Sequence, residues 1–308
     1  MNVIHLAREL KPESRRVCLA IGFFDGVHLG HQQIIRQTIA HARQHDDISL
    51  VITFDSHPNT VVAPARVPGL IYSLEHKLQT IAALGPDTLL LLHFDRAFSL
   101  LSGEEFIRSL ARDLTRIRSV CVGANFTFGY KRGGNVELLR KMGTELNFVV
   151  HAASAVSLDG RAVSSTRIRE MIRDGNLDAA SQMLGRGYSL VGEVRKGDGL
   201  GHKLGFPTAN IDPTGLVLPP PGVYAVHADF DGARHRGVLN IGYRPTVQMP
   251  NPQLRVEVHL LNFQGDLYGR TLSISFVEKL RDEQKFGSLP ELQAQITRDI
   301  SAAAGKFQ

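Results

Sequence analysis

Two histidines stand in a glycine-punctuated stretch near the start of the chain, Ala20-Ile-Gly-Phe-Phe-Asp-Gly-Val-His-Leu-Gly-His31. The apolar run Arg16 to Ile21 predicts a buried strand before the turn, and apolar residues at helical spacing from Ile34 to Ala42 predict an amphipathic helix after it. A strand that feeds a helix N-terminus favours anion binding, because free backbone N–H groups and the positive end of the helix dipole point outward there. We expect His28 and His31, three residues apart, to face that spot from one side of the first helical turn.

Taken alone, the histidine pair is also compatible with two different roles. The turn could be purely structural, with two surface histidines, or the pair could bind zinc, although no cysteine or third ligand lies at a metal-like offset nearby. The whole string Gly-x-Phe-Asp-Gly-x-His-x-Gly-His resembles the signature of nucleotidyltransferases, in the version found in the first half of prokaryotic bifunctional riboflavin kinase/FAD synthetases. The resemblance implies that both imidazoles bind ATP phosphates and stabilise charge during adenylyl transfer. It also implies nucleotide or flavin contacts from Gly22, Phe24, Asp25, Gly26 and Gly30.

A second motif, Thr53-Phe-Asp-Ser-His-Pro58, follows the apolar run Ile48 to Phe54, which predicts another buried strand. Locally the motif is equally well a polar turn closed by proline. Its position at a strand end favours binding, because ligands of parallel α/β sheets lie beyond the carboxyl ends of the strands. Phe54 and His57 are the candidate binding residues here.

A third motif, Gly123-Ala-Asn-Phe-Thr-Phe-Gly-Tyr-Lys-Arg-Gly-Gly134, is a glycine-rich loop with aromatic residues and two cations. Stacking faces, amide donors and positive charge suit a flavin or a nucleotide, whereas phenylalanines two apart could also be core residues of a strand extension. The loop is similar to the flavin-side motif of the same synthetases. The resemblance implies a hydrogen-bonding catalytic role for Asn125 and a binding role for Phe128.

A fourth motif, Arg161-Ala-Val-Ser-Ser-Thr-Arg-Ile-Arg-Glu170, places three hydroxyls and then basic residues at the start of a predicted helix. Such a segment could clamp phosphates, because the hydroxyls donate and an arginine supplies charge; an ordinary N-cap with a basic solvated face is the alternative. In the family that the chain resembles, Ser-Ser-Thr-Arg is a mobile loop that closes on the ATP phosphates. The candidate catalytic residues of this segment are Arg161, Ser164, Ser165, Thr166 and Arg167.

Strands and helices alternate through this first half of the chain. Further strands are predicted over 88–92, 119–122 and 148–151, and helices over 73–84, from the capping box at Ser102 and over 135–141. This alternation predicts an α/β domain with a mainly parallel, doubly wound, Rossmann-like sheet and helices on both faces. The motifs that follow its strands are expected to converge on one crevice.

From Tyr188 onward the pattern changes to short strands separated by turn signals, over 190–194, 223–230, 235–241, 254–261 and 271–277. These strands predict a small antiparallel barrel, with a terminal helix over 288–303 packed outside it. We therefore predict two domains, residues 1–185 as a nucleotidyltransferase domain and residues 186–308 as a β-barrel kinase domain.

The composition agrees with two globular domains. The chain has 308 residues, of which 43% are hydrophobic and 21% charged, so disorder is not expected. Cys18 and Cys121 lie in apolar runs and are predicted to be reduced core residues. The N-terminus lacks a signal peptide and no run has the length of a membrane span, so a cytoplasmic protein is expected. A net charge of +5 suits phosphate-bearing ligands better than nucleic acid, because the lysines and arginines are scattered.

The predicted barrel contains the most specific motif, Gly197-Asp-Gly-Leu-Gly-His-Lys-Leu-Gly-Phe-Pro-Thr-Ala-Asn210. Glycines alone would indicate only a flexible flap before a turn, and a Gly-Lys-Ser/Thr ending typical of a Walker A loop is missing. Gly-Phe-Pro-Thr-Ala-Asn, however, resembles the signature of riboflavin kinases. Thr208 and Asn210 offer hard oxygen ligands for Mg²⁺. The candidate ATP- or flavin-binding residues of this motif are Lys203, Gly205, Phe206 and Pro207.

A kinase also needs a group that orients or deprotonates an alcohol. Glu257 alternates with Val256 and Val258 along a predicted strand, so the glutamate or the valines face the barrel interior. A buried carboxylate facing inward would be costly without a task, whereas an outward carboxylate could be ordinary surface. The segment resembles the Glu-Val-His motif of riboflavin kinases, whose glutamate acts as base on the ribityl hydroxyl.

Further matches complete the resemblance over nearly the whole chain. The additional candidate binding residues of the second half are Asn240, Arg281 and Glu283. The resemblance implies a bifunctional enzyme that phosphorylates riboflavin to FMN with MgATP and then transfers AMP from ATP to FMN, giving FAD and pyrophosphate. Mg²⁺, ATP and FMN/FAD are the implied cofactor, co-substrate and flavins, and neither nucleic acid nor membrane is an expected partner.

Two alternatives stay open at the sequence level. The chain could be a riboflavin kinase only, with a flavin-binding or flavin-sensing first half, because Asn125 stands where many members of the family carry aspartate. A nucleic-acid-binding regulator that senses flavin is the non-enzymatic alternative, suggested by the positive net charge. The oligomeric state is open, a homo-oligomer included.

Overall fold

A computed structural model describes residues 1–11, 13–197, 199–243 and 254–307, without the side chains of Leu200 and Lys203. The chain forms two compact units. Unit 1 comprises Met1–Gly69 and Leu74–Ser165, and unit 2 comprises Leu70–Ser73 and Thr166–Gln308. The predicted domain boundary after residue 185 stays a prediction.

Unit 1 contains a six-stranded sheet and two small hairpins. Its strands are β1 (Asn2–Ile4), β2 (Val17–Ile21), β3 (Ile48–Phe54), β4 (Thr88–Leu92), β5 (Ile117–Gly123), β6 (Thr127–Phe128), β7 (Gly134–Asn135), β8 (Val149–Ala153), β9 (Ser157–Leu158) and β10 (Arg161–Ala162). The helices that lie in this unit or begin there are α1 (Leu29–Gln44), α2 (Asn59–Val62), α3 (Leu74–Ala82), α4 (Arg96–Ser99), α5 (Gly103–Leu114), α6 (Val136–Leu146) and α7 (Ser165–Arg173). Short 3₁₀ turns cover Ala7–Glu9, Asp25–Val27, Pro64–Arg66 and Tyr130–Arg132.

The main sheet is parallel, with strand order β1-β4-β3-β2-β5-β8. Alternate residues of β2 enter different cores: Leu19 packs with α5 and α6, and Ala20 packs with α1 and α3. Helices therefore cover both faces, as the alternation of strands and helices predicts. The strand order reverses direction between β2 and β5, and ligands of such sheets bind outside the carboxyl ends of the strands at this switch point.

Unit 2 is built around a closed antiparallel barrel with strand order β11-β12-β15-β14-β13-β16. The strands are β11 (Ser189–Arg195), β12 (Ala209–Ile211), β13 (Gly222–Phe230), β14 (Ala233–Tyr243), β15 (Leu254–Leu260) and β16 (Thr271–Arg281), and the helices are α8 (Leu177–Leu184), α9 (Leu200–Lys203) and α10 (Leu289–Ala304). Apolar side chains that alternate along the strands fill the barrel. Helix α10 packs against β13, β14 and β16, so the predicted barrel with an outer terminal helix is confirmed.

Candidate functional sites

The turn between β2 and α1 needs unusual backbone angles. Phe24 and Gly26 both have positive φ, 55° and 73°, and glycine adopts such angles without steric cost. His28 then caps α1, and its Nδ1 accepts a hydrogen bond from the His31 backbone N–H at 3.4 Å. The turn therefore ends with both histidines at the N-terminus of a 16-residue helix.

The two imidazoles lie together, as their spacing predicts. Their ring centroids are 3.5 Å apart with an interplanar angle of 19°, and His28 is buried. Both rings therefore lie in the same small region at the N-terminus of α1. The zinc alternative gains no support, since the described residues hold no group of three or more histidine, cysteine or acidic side chains arranged for a metal.

Other side chains of unit 1 fix the loops around this turn. The Ser165 hydroxyl donates to the Asp25 carbonyl oxygen at 3.0 Å. This contact places Ser165, one of the predicted phosphate-binding residues, beside the histidine turn.

Lys77 ties together the two loops that follow β2 and β3. Its Nζ donates to the carbonyl oxygens of Phe54 at 2.6 Å and Phe23 at 3.4 Å, and lies 4.4 Å from the centroid of the Phe23 ring. Burial lowers the pKa of this lysine to about 8, against the opposing charges of Asp25 and Asp55. The buried ammonium group of Lys77 thus holds the loops after β2 and β3 in fixed positions relative to each other.

A cavity of about 670 Å³ opens beside these loops. Its wall is largely aromatic, and three cationic side chains, Arg96, Lys131 and Arg132, stand on it. Phe126 and Phe128 stack at 5.2 Å between ring centroids, and Phe23 meets His57 edge-on at 4.9 Å. A cavity of this size and composition suits a planar aromatic ligand that carries negative charge.

The structure brings together only part of the predicted first-half residues. Gly22, Phe54, His57 and Phe128 line the cavity. The predicted residues that do not line it are Phe24, Asp25, Gly26, His28, Gly30, His31, Asn125, Arg161, Ser164, Ser165, Thr166 and Arg167. Asn125 and Arg161 are exposed.

A row of polar side chains crosses three neighbouring strands of the barrel. Glu257 on β15 is directly opposite Asn210 on β12 and Asn240 on β14. Val256 and Val258 are buried in the barrel core, so Glu257 lies on the outer face, where its side chain is 29% exposed. The alternative that Glu257 faces the barrel interior is therefore wrong, because Val256 and Val258 fill that space. The Arg255 guanidinium is 3.8 Å from the Glu257 carboxylate.

The glycine-rich motif approaches this row closely. A Cβ at Gly197 would overlap the Asn210 side-chain amide, so only glycine fits there without moving that amide. His259 Nδ1 donates to the Pro207 carbonyl oxygen at 2.8 Å, which fixes the segment before Thr208. Thr208 and Asn210 are half-buried, and Thr208 directly precedes β12, which carries Asn210. The segment 239–246, which contains Asn240, also matches the family that the chain resembles; its residues 244–246 and the side chain of Lys203 lie outside the described residues.

Two more predicted residues lie at the end of β16. Arg281 forms a two-pronged ion pair with the buried carboxylate of Asp299 on α10, with contacts of 2.7 and 2.9 Å. Glu283 Oε1 accepts a hydrogen bond from the Tyr243 backbone N–H at 2.9 Å, close to Asn240. Arg281 thus anchors the segment that carries Glu283.

Comparison with known proteins assigns each half of the chain. A family model described as FAD synthetase matches residues 10–167, and one described as riboflavin kinase matches residues 184–307. A bifunctional riboflavin kinase/FMN adenylyltransferase of Pseudomonas fluorescens is 38% identical over 98% of this chain and 97% of its own. The enzyme of that name from Escherichia coli K12 is 38% identical over 100% and 98%.

The chain belongs to the bifunctional riboflavin kinase/FMN adenylyltransferase family. A solved structure described as a macrolide-efflux protein from Streptococcus pneumoniae shares the fold, with a TM-score of 0.83, 27% identity and 99% coverage of both chains. In the described part of our chain, no helix is long and apolar enough to cross a membrane.

Sequence reasoning missed several contacts that shape the two candidate sites described above. Lys77 looks like an ordinary helix lysine, and only the fold shows that it is buried between two loops. Phe94 and Phe98 line the cavity from the segment after β4, although no motif includes them. His259 belongs to the Glu-Val-His motif, but only the fold shows that it donates to the Pro207 carbonyl oxygen.

Proposed function

We propose that this chain makes FAD from riboflavin in two steps. Unit 2 transfers the γ-phosphoryl group of ATP to riboflavin and gives FMN and ADP; unit 1 transfers AMP from a second ATP to FMN and gives FAD and pyrophosphate. The observation that carries this proposal is the match of both halves to the two enzyme families, in relatives that cover the full chain.

In the adenylyl transfer, an FMN phosphate oxygen attacks the α-phosphorus of ATP and pyrophosphate leaves. We assign the isoalloxazine ring to the aromatic cavity, where Phe128 and its neighbours offer stacking faces and Lys131 and Arg132 balance the FMN phosphate. His28 and His31 would donate to the ATP phosphates at the N-terminus of α1, where the helix dipole also favours negative charge.

The hydroxyls and arginines after β10 supply further donors in this proposal. Ser165 is anchored on the turn that carries the histidines, which supports phosphate contacts from Ser164, Ser165, Thr166 and Arg167. Asn125 and Arg161 are exposed, so their side chains are accessible to a ligand. Both reactions are displacements at phosphorus, for which positioning and charge stabilisation are the main sources of catalysis.

In the phosphorylation of riboflavin, the ribityl primary hydroxyl attacks the γ-phosphorus of ATP. Glu257 would accept the proton of that hydroxyl, and the adjacent Asn210 and Asn240 would orient the reactants. Asn210 lies opposite Glu257, and Thr208 lies two residues before Asn210. Their side chains offer hard oxygen donors, and with the Glu257 carboxylate this donor set fits Mg²⁺. Bound Mg²⁺ would neutralise phosphate charge. Roles for Lys203, Gly205, Phe206, Pro207, Arg281 and Glu283 in ATP or flavin binding stay predictions.

Chromatography of the flavins formed by the purified full-length chain tests the proposal. Incubation with riboflavin, ATP and Mg²⁺ should give FMN and then FAD, and incubation with FMN should give FAD directly. FMN as the final product of both incubations would contradict adenylyl transfer. No product from riboflavin would contradict the kinase activity.

A further inference from the structure

A second cavity of unit 1 lies at the opposite end of the sheet, where β2, β5 and β8 begin. Its volume is about 310 Å³, and its polar wall is formed by Arg16, His41, His45 and Arg118. Among the described residues, no acidic side chain lines it. The wall is therefore strongly electropositive, and neither candidate site described above uses it.

The two arginines are held in place by bonds that leave N–H groups unused. Arg16 Nη2 donates to the carbonyl oxygens of Ile117 at 2.7 Å and Asn147 at 2.8 Å, while no described residue accepts from its Nε or Nη1. Arg118 pairs through Nε with Asp47, and its Nη groups have no acceptor within the described residues. Asp47 thus pairs with the Arg118 guanidinium and otherwise accepts from the Arg16 backbone N–H, so its carboxylate balances one of the two guanidinium charges.

The two histidines line the cavity from the C-terminal end of α1. His45 Nδ1 donates to the His41 carbonyl oxygen at 2.9 Å. Burial lowers the pKa of His41 most, and the nearby His151, His45 and Arg118 lower it further, with only Asp47 opposing. An anion in the cavity would offset the repulsion from these neighbouring groups.

We propose that this cavity binds a phosphate-type oxyanion with two or more negative charges, either inorganic phosphate or pyrophosphate. The Nη1–Nη2 edge of Arg118 can match two phosphate oxygens, because its pair with Asp47 uses only Nε. Arg16 can add single donors from Nε or Nη1, and two backbone carbonyls already orient it, so little ordering is needed on binding. The cavity is less than half as large as the aromatic one, which suits a small anion better than a flavin nucleotide. This inference is independent of the proposed enzymatic function.

The test is an NMR titration of the full chain labelled with ¹³C-histidine. The imidazole signals are followed against pH with phosphate, with pyrophosphate, or with potassium chloride at the same ionic strength, and are assigned with H41Q and H45Q variants. We expect a saturable rise in the pKa of His41, and a change in the His45 signals, with at least one of the anions. The anion that saturates at the lower concentration is the better ligand. His28 and His31 give separate signals, so binding at the α1 N-terminus is distinguished.

A matched pair of variants tests whether the anion binds in this cavity. Val149 lines the cavity from the edge strand β8 and is 56% exposed, so polar substitutions there should fold. Val149→Asp should abolish the rise, because its carboxylate repels the anion, whereas the isosteric Val149→Asn should retain it. Arg16→Gln should weaken binding at least tenfold. The proposal is wrong if neither anion gives a saturable rise, or if Val149→Asp responds like Val149→Asn.

Discussion

The two histidines at the start of α1 form a stacked pair. With ring centroids 3.5 Å apart, His28 and His31 share one small region at the helix N-terminus. Each ring therefore depends on the other for its position. Removal of one ring should remove the function of the pair rather than half of it.

His28→Ala should reduce FAD formation from FMN by about 100- to 1000-fold, the usual effect of a lost charge-stabilising donor. Formation of FMN from riboflavin should be unchanged, since the predicted kinase residues lie in unit 2. Initial rates of both reactions, measured on the same preparation, check this. His5→Ala, at an exposed histidine of the same unit, is the control. Equal loss of both activities in a folded protein would contradict separate sites.

Glu257→Gln should reduce FMN formation from riboflavin and leave FAD formation from FMN unchanged. If Glu257 accepts the proton of the ribityl hydroxyl, its amide variant should phosphorylate riboflavin about 100- to 10,000-fold more slowly. FAD formation from supplied FMN should continue at the normal rate. If the variant still phosphorylates riboflavin at the normal rate, Glu257 takes no part in the reaction and serves only as a surface partner of Arg255.

Lys77 gives unit 1 a pH-dependent stability of known sign. Its folded pKa is about 8, below the ordinary value of 10.5, so between these pH values the unfolded chain binds more protons than the folded one. This group therefore adds stability as pH rises from about 8 to 10.5, by at most about 3 kcal/mol. The difference in thermal midpoint between wild type and Lys77→Met should grow in favour of wild type over that range. Parallel curves for the two proteins would contradict the lowered pKa.

At the level of elements, long buried segments are predictable and short paired ones are not. The apolar run Ile48–Phe54 predicts β3 with its observed bounds, since a strand buried on both faces is apolar throughout. The pattern does not predict strands β1 and β12, because their three residues each are too few to show a periodicity. They form only because a neighbouring strand offers them partners.

The sequence likewise indicates the site residues that are close together in the chain, but not those that strand pairing brings together. Motifs indicate the residues near the α1 N-terminus and in the glycine-rich loop of unit 2, because their spacing is local. The row of Asn210, Glu257 and Asn240 depends on the register of three strands far apart in sequence. Alternation alone leaves open which face carries Glu257, and only the closed barrel shows that the valines are inside.

In the loop before α9, position 197 should tolerate only glycine. Gly197→Ala would place a methyl group against the Asn210 side chain, 2.7 Å from Cγ, and displace its amide. We expect kcat/KM for riboflavin phosphorylation to fall by about 100-fold, as misplacement of a catalytic group by about 1 Å can cause. Gly187→Ala is the matched control, because no heavy atom lies within 4 Å of its added Cβ. Equal effects of both variants would contradict a specific role for Gly197.

At the scale of the whole molecule, the two proposed reactions use separate sets of residues in one chain. The aromatic cavity is built from unit 1, and the Asn210–Glu257–Asn240 row is built from unit 2. The cavity and the row share no residue. FMN made by one chain should therefore serve as substrate for any other chain that it reaches through solution.

Complementation between two inactive variants tests this consequence. His28→Ala should convert riboflavin only to FMN, and Glu257→Gln should make no FMN but should adenylylate it when supplied. A mixture of the two should convert riboflavin to FAD after a lag, because FMN must first accumulate in solution. The lag should shorten when the His28→Ala protein is in excess, since that variant supplies the intermediate. A mixture that makes FMN but no FAD, while Glu257→Gln still adenylylates added FMN, would mean that the FMN stays bound to the chain that made it.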